Sequence, residues 1–217
     1  MTPGRSWWRL GATAALAAAV AAGVVVPSAS ADQIVGGKKV QGQIETTYFS
    51  LSGPAGLGEP VTEELTDRRG GRFQAYKLDS SIYWSPGLAP LNNAFQVGGA
   101  IRARWGQKNW EVGALGYPIS DELRITETFT FPGVKIPIAL GHRVTGAWND
   151  FQGGAIMWSP STGAQIVWGK IREEFLRNGG PSKYGWPVAE EQRTATGWSQ
   201  QFEKATITYP PTPSPAQ

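Results

Sequence analysis

The sequence predicts an α+β fold made of three tandem units packed side by side. Three observations carry that expectation. Leu57-Gly58-Glu59-Pro60 returns as Leu115-Gly116-Tyr117-Pro118 and again as Tyr184-Gly185-Trp186-Pro187. Each copy is followed by an acidic pair: Glu63-Glu64, Asp121-Glu122 and Glu190-Glu191. Between the copies, a Gly-x-Ile segment of helical character alternates with a strand-like run ending in Trp-Ser-Pro or Tyr-Pro-Pro. Units that recur in this way bury their apolar faces against one another, in a row or around a pseudo-symmetry axis.

The chain of 217 residues opens with a segment outside this pattern. Arg5 and Arg9 give a basic start, Leu10 to Val26 carries no charge, and Ala29-Ser30-Ala31 offers the small residues a signal peptidase needs. Residues 1–31 therefore read as a signal peptide cleaved before Asp32, since the apolar run is shorter than the ~20 residues of a stable membrane span. The repeat domain is expected over 32–209, with units at roughly 36–86, 95–160 and 165–211. Pro210 to Gln217 is too rich in proline to pack and reads as a disordered tail.

Within a unit, the first part is a short helix opening at Gly42-Gln43-Ile44, Gly99-Ala100-Ile101 or Gly169-Lys170-Ile171. In the third copy Ile166, Val167, Ile171, Phe175 and Leu176 supply its apolar side, and Gly179-Gly180-Pro181 is expected to stop it. The second part is the Leu-Gly-x-Pro turn. Its glycine answers to a geometry or close approach that a Cβ would block, and its proline holds the preceding residue extended. That residue (Glu59, Tyr117 or Trp186) is expected to project outward or across.

The third part reads as a β-hairpin. Phe73-Gln74 with Ile82–Pro86, Phe151–Pro160 and Phe202–Pro211 form its copies, and the first carries an insertion of about three residues near Tyr76–Ser80. Ser161 or Thr162 is placed to cap the following helix. Arg124 to Arg143 is an insertion in the second unit. Its alternating Phe129, Phe131, Val134, Ile136, Ile138 and Leu140 suggest an added pair of strands bent at Pro132-Gly133.

Composition narrows the chemistry. The formal net charge of +3 owes two of its positive charges to Arg5 and Arg9 in the leader, and lysines and arginines are scattered, so no nucleic-acid surface is implied. The absence of cysteine removes disulfides and thiolate metal sites. His142 has no second histidine for zinc and no Gly-x-Ser-x-Gly elbow to serve, and reads as a loop residue. Ten tryptophans stand out. Trp84, Trp158 and Tyr209 occupy equivalent hairpin positions, suited either to packing on the next unit or to stacking on a sugar face.

The variable turn residues Tyr117 and Trp186 are candidate ligand groups, because Glu59 shows that their position accepts polarity. Asp121, Glu122, Glu190 and Glu191 could accept hydrogen bonds from hydroxyls. Neighbours in sequence are poorly placed to flank one glycosidic bond at roughly 5–10 Å, so a structural role precedes a catalytic one.

The combination Leu-Gly-[Phe/Tyr]-Pro-x-x-[Asp/Glu]-Glu, Gly-Gly-x-Ile-x-Trp-Ser-Pro-x-Thr-Gly-Ala and the Gly-x-Ile helix resembles the LGFP repeat family. Leu115 to Glu122 and Gly153 to Ala164 carry the likeness most fully. The third turn departs from it as Tyr-Gly-Trp-Pro. The resemblance implies a secreted, cell-wall-associated module of mycolic-acid-bearing actinobacteria. Such a module is expected to be non-catalytic and cofactor-free, and to bind arabinogalactan or peptidoglycan. A wall-polysaccharide hydrolase using the acidic pairs, or a protein-docking partner of an envelope esterase or mycolyltransferase, are the other readings.

Overall fold

The computed structural model describes residues 32–88, 93–128 and 142–210. The leader, the bend at Pro132-Gly133 with the apolar alternation around it, and the tail beyond Pro210 lie outside the described residues. Mixed helix and sheet is what the described chain contains.

A short hairpin, β1 (Gln33–Val35) and β2 (Lys38–Val40), leads into α1 (Gly42–Ser50) and α2 (Gly53–Leu57). After the first turn come β3 (Leu65–Thr66), β4 (Arg72–Tyr76) and β5 (Ser80–Trp84). The order then recurs: β6 (Phe95–Gly98), α3 (Gly99–Gln107), a 3-10 turn at Trp110–Val112, the second turn, and β7 (Leu123–Thr128), β8 (His142–Phe151) and β9 (Gly154–Ser159). It recurs once more with β10 (Gly163–Trp168), α4 (Gly169–Arg177), α5 (Gly180–Tyr184), the third turn, β11 (Gln192–Arg193), β12 (Trp198–Gln201) and β13 (Thr206–Tyr209).

The expected hairpin is thus an antiparallel meander, and it borrows a strand. The strand leading into the next helix pairs with the end of the preceding meander, giving sheets β3-β4-β5-β6 and β7-β8-β9-β10, while β11-β12-β13 has no such addition among the described residues. Helices alternate with sheets. α1, α3 and α4 lie on β5, β9 and β13 of their own meanders, and α3 and α4 also touch β5 and β9 of the meander before. Ile44, Ile101 and Ile171, with Tyr48, Trp105 and Phe175 one helical turn later, are the buried centres of the three cores.

Each helix begins at its glycine because the backbone there is left-handed, with φ of +58° at Gly42, +50° at Gly99 and +37° at Gly169. No side chain caps these helices. Ser161 and Thr162 instead close the β9–β10 turn, where their hydroxyls bond Ser159 Oγ. Ile166 and Val167 belong to the strand before the helix, and Leu176 is 44% exposed. The Gly-Pro steps at 53–54 and 180–181 start a second short helix, the usual place for proline in a first turn.

The first meander aligns differently from the expectation. Pro60, Pro118 and Pro187 bridge to Tyr76, Phe151 and Phe202, so Tyr76, not Phe73, matches Phe151. The insertion shrinks to one extra residue in the turn before β5, where Asp79 sits at φ +48°. In the second meander, β7 and β8 pair as far as Thr128 and His142, which places His142 on a strand end.

Candidate functional site

The turn glycines hold φ of +77° (Gly58), +67° (Gly116) and +72° (Gly185). A Cβ on any of them would come within 2.8 Å of the meander turn below, at Lys77, Gln152 or Glu203. Two groups support that approach. Tyr48 Oη and Trp105 Nε1 donate to the carbonyls of Gly58 and Gly116 at 2.9 and 3.2 Å. A buried amide (Gln74, Asn149 or Gln200) then ties each turn to its lead strand. Its side-chain nitrogen donates to Lys39 O and Thr62 O, to Gln96 O and Ser120 O, or to Ile166 O and Ala189 O. The sequence reading missed these amides because Gln and Asn interchange at the position.

The turn residues themselves go across, not outward. Tyr117 is 1% and Trp186 8% exposed, so neither offers a face to a polymer. Each plugs the preceding meander over a glycine. A Cβ on Gly71 would meet Tyr117 Oη at 2.6 Å, and one on Gly146 would meet Trp186 Cζ2 at 1.8 Å. Tyr117 Oη donates to Asp67 at 2.9 Å, and burial pushes its phenol up to about 12. Glu59 instead lies against the β1–β2 hairpin, where a Cβ on Gly36 would meet its side chain at 3.1 Å. It stays half exposed and pairs with Lys77 at 2.7 Å, which explains the polarity tolerated at that position.

The acidic pairs divide. The first members serve the frame: Glu63 and Asp121 accept the backbone N–H of Lys39 and Gln96 at 3.3 and 2.7 Å. Burial raises the Asp121 carboxyl above the usual range, and its bond from Gln96 opposes that. Glu190 departs from this and binds Arg104 on α3 and Lys108 just past its end. Glu191 is raised by burial and by the charge of Glu190.

Two of the second members, Glu64 and Glu122, open into grooves. One, of about 490 Å³, is lined by Trp84, Glu64, Arg72, Asp32 and the helix start Gln41–Ile44. Another, of about 420 Å³, is lined by Trp158, Glu122, Arg124, Gln96, Gly98–Ile101 and, from the first helix pair, Leu57. Strand register makes the grooves counterparts. Thr66, Arg72 and Trp84 form one cross-strand row, and Arg124, Ala147 and Trp158 form the matching one. The guanidinium comes from the middle strand in one groove and the edge strand in the other. Glu64 and Arg72 stand 3.8 Å apart, Glu122 and Arg124 2.6 Å apart, with both carboxylates largely buried. Both indoles are half-buried. Each groove therefore combines a partly exposed aromatic face, a carboxylate already neutralised by arginine, and backbone without a side chain at the helix-start glycine.

Groups of His, Asp and Glu able to hold a metal are absent among the described residues. No helix among them is long and apolar enough to cross a membrane.

Helix, turn and meander recurring with the same buried contacts define a tandem-repeat module. The chain carries LGFP repeats: the model of that family matches residues 57–113 and 139–182. Each match runs from turn or meander into the next helix, so the family's repeat follows the sheet that borrows a strand. No curated protein matches the chain.

Proposed function

We propose that the protein is a secreted, non-catalytic module that binds cell-wall glycan, either arabinogalactan or peptidoglycan, through the grooves at Trp84 and Trp158. The observation that carries this reading is the recurrence of one groove chemistry at counterpart positions. An indole stacks on the C–H face of a sugar, while Glu64 or Glu122 accepts hydroxyl hydrogen bonds and arginine donates to ring or hydroxyl oxygen. Because each carboxylate is matched by its arginine, the grooves suit an uncharged sugar better than an acidic one. Two weak contacts on one polymer gain avidity without any further contact.

The carboxylates argue against the hydrolase reading. Asp121 is committed to a backbone N–H, Glu190 to two cations and Glu122 to Arg124, so none of these three stands free as a general acid or base. Protein docking keeps one favourable observation. Val61, Ile119 and Val188, the residues after the turn prolines, are 48%, 36% and 40% exposed at equivalent positions.

The units form a row in this reading. In the last meander the pair Ser199–Thr208 stands where Phe73–Tyr83 and Trp148–Met157 receive the next helix, so that face of the last meander is polar. Closing a ring would bury that face against the Glu59 end.

The test is retention of residues 32–217 on isolated mycolyl-arabinogalactan–peptidoglycan before and after acid removal of the arabinogalactan. Retention on the intact wall supports glycan binding, and its loss with the arabinogalactan names that polymer. Failure to bind either material, with co-purification of an envelope enzyme, would replace this reading with docking.

A further inference from the structure

The two grooves share an indole, a carboxylate and an arginine, but their walls differ position by position. Gln41 and Gln43, on either side of the first helix-start glycine, correspond to Gly98 and Ala100 at the second. On the strand beside the indole, Arg72 pairs with Trp84, whereas Ala147 pairs with Trp158. Asp32 adds a further carboxylate to the first groove. The second groove instead receives Leu57 and Leu78 from the unit before, and Val144 from its own sheet.

Leu78 marks the difference most clearly. Its N–H donates to Leu57 O, as the Gly153 N–H does to Leu115 O and the Lys204 N–H to Tyr184 O, so three unlike residues serve one turn position. The fold therefore does not require leucine there, yet the residue stands 60% exposed at the groove. The polar groups of the same groove are occupied with one another. Gln96 Nε2 donates to Ser80 Oγ at 2.8 Å, and Gln96 Oε1 accepts from the Glu122 N–H at 3.3 Å. Beyond the chemistry common to both grooves, the second thus offers an apolar wall of Leu78, Ala100 and Val144 beside Trp158.

We infer that the second groove takes a sugar carrying an aliphatic substituent, an O-acyl chain or an alkyl group, and that the first takes an unsubstituted sugar. The ring lies on Trp158 with Glu122 and Arg124 at its hydroxyls, and the chain runs along Leu78 and Val144. This rests on the glycan-binding reading and names the ligand of one of its sites. Each methylene fully taken from water strengthens binding by roughly fourfold, a gain that the polar walls of Gln41, Gln43 and Arg72 do not provide.

The test follows the indole NMR signals of Trp84 and Trp158 in residues 32–217 during titration with methyl and hexyl α-arabinofuranoside. Methyl and hexyl N-acetylglucosaminide form the second pair, and 1-hexanol is the sugar-free control. In the pair that binds, the hexyl compound should move Trp158 at concentrations lower by about tenfold or more, while both compounds move Trp84 at similar concentrations. Leu78→Lys, which installs the third unit's residue at that turn, and Ala100→Gln, which installs the first unit's residue, should each reduce the preference and keep methyl glycoside binding at Trp158. Both positions are exposed, so the fold should tolerate either change. A hexyl preference that is absent at Trp158, equal at the two indoles, or unchanged by both substitutions overturns the inference and leaves the glycan reading standing. Hexanol that moves Trp158 as effectively as the hexyl glycoside also overturns it, because no sugar is then recognised there. No response to any glycoside overturns the glycan reading itself.

Discussion

Gly146→Ala tests the plug that joins one meander to the next turn. The new Cβ would stand 1.8 Å from Cζ2 and 2.2 Å from Cε2 of Trp186, inside the ring's own volume. The indole has little room to yield. It is 8% exposed and packs beside Trp148, with centroids 6.3 Å apart, and Ile125. Overpacking of this kind costs about 1–3 kcal/mol, and a rigid ring places this site at the upper end. Trp186→Ala alone should cost about 3–5 kcal/mol.

In the Trp186→Ala background the sign of Gly146→Ala changes. Gly146 lies outside the left-handed region, so alanine there restricts the unfolded chain and should stabilise by about 0.4–1 kcal/mol. The cycle predicts a coupling of about 3 kcal/mol, large even for residues in contact. For a domain of this size the single Gly146→Ala change should lower the melting temperature by about 6–12 °C. Urea and thermal unfolding followed by far-UV circular dichroism measure all four corners. Additive effects, or a Trp186→Ala cost below about 0.5 kcal/mol as for a surface residue, would refute the plug.

Three further outcomes are expected. Asn149→Ala strands the carbonyls of Gln96 and Ser120, and at about 1–3 kcal/mol for each unpaired buried group it should be among the costliest single changes by chemical unfolding. Glu190→Gln removes a half-exposed contact with Arg104 and Lys108, so unfolding should report a loss of no more than about 1 kcal/mol, shrinking further at high salt. Asp121 behaves oppositely to a paired carboxylate. Its folded pKa is raised, so the native state holds the proton more tightly than the unfolded chain, and its contribution to stability falls as pH rises from about 4. Asp121→Asn should remove that slope from a pH series of unfolding midpoints; an unchanged slope would contradict the assignment.

What the sequence made legible was local. The turns, the helix-start glycines and the paired aromatics of the meanders all follow from spacings of a few residues, and the structure uses each of them. What stayed hidden was long-range. Tyr117 and Trp186 look like exposed turn residues until Gly71 and Gly146, in the meander before, are seen to receive them. Ile166 and Val167 fit a helical period as well as a strand, and pairing with Ile156 and Ala155 decides for the strand. The tie of Gln74, Asn149 and Gln200 escaped because the chemistry is kept while the residue changes. The grooves were half visible: Trp84, Trp158 and Glu122 stood out in sequence, but Arg72 and Arg124 converge on one role from different strands.

The most direct test of the central claim is wall retention of the Trp84→Ala/Trp158→Ala double variant beside the unsubstituted protein, after unfolding curves show that both are folded. Binding through the two grooves predicts that retention is lost in the double variant and weakened in each single one, with little dependence on salt because no net charge is matched. Full retention by the folded double variant would contradict it and move the binding surface to another face of the molecule.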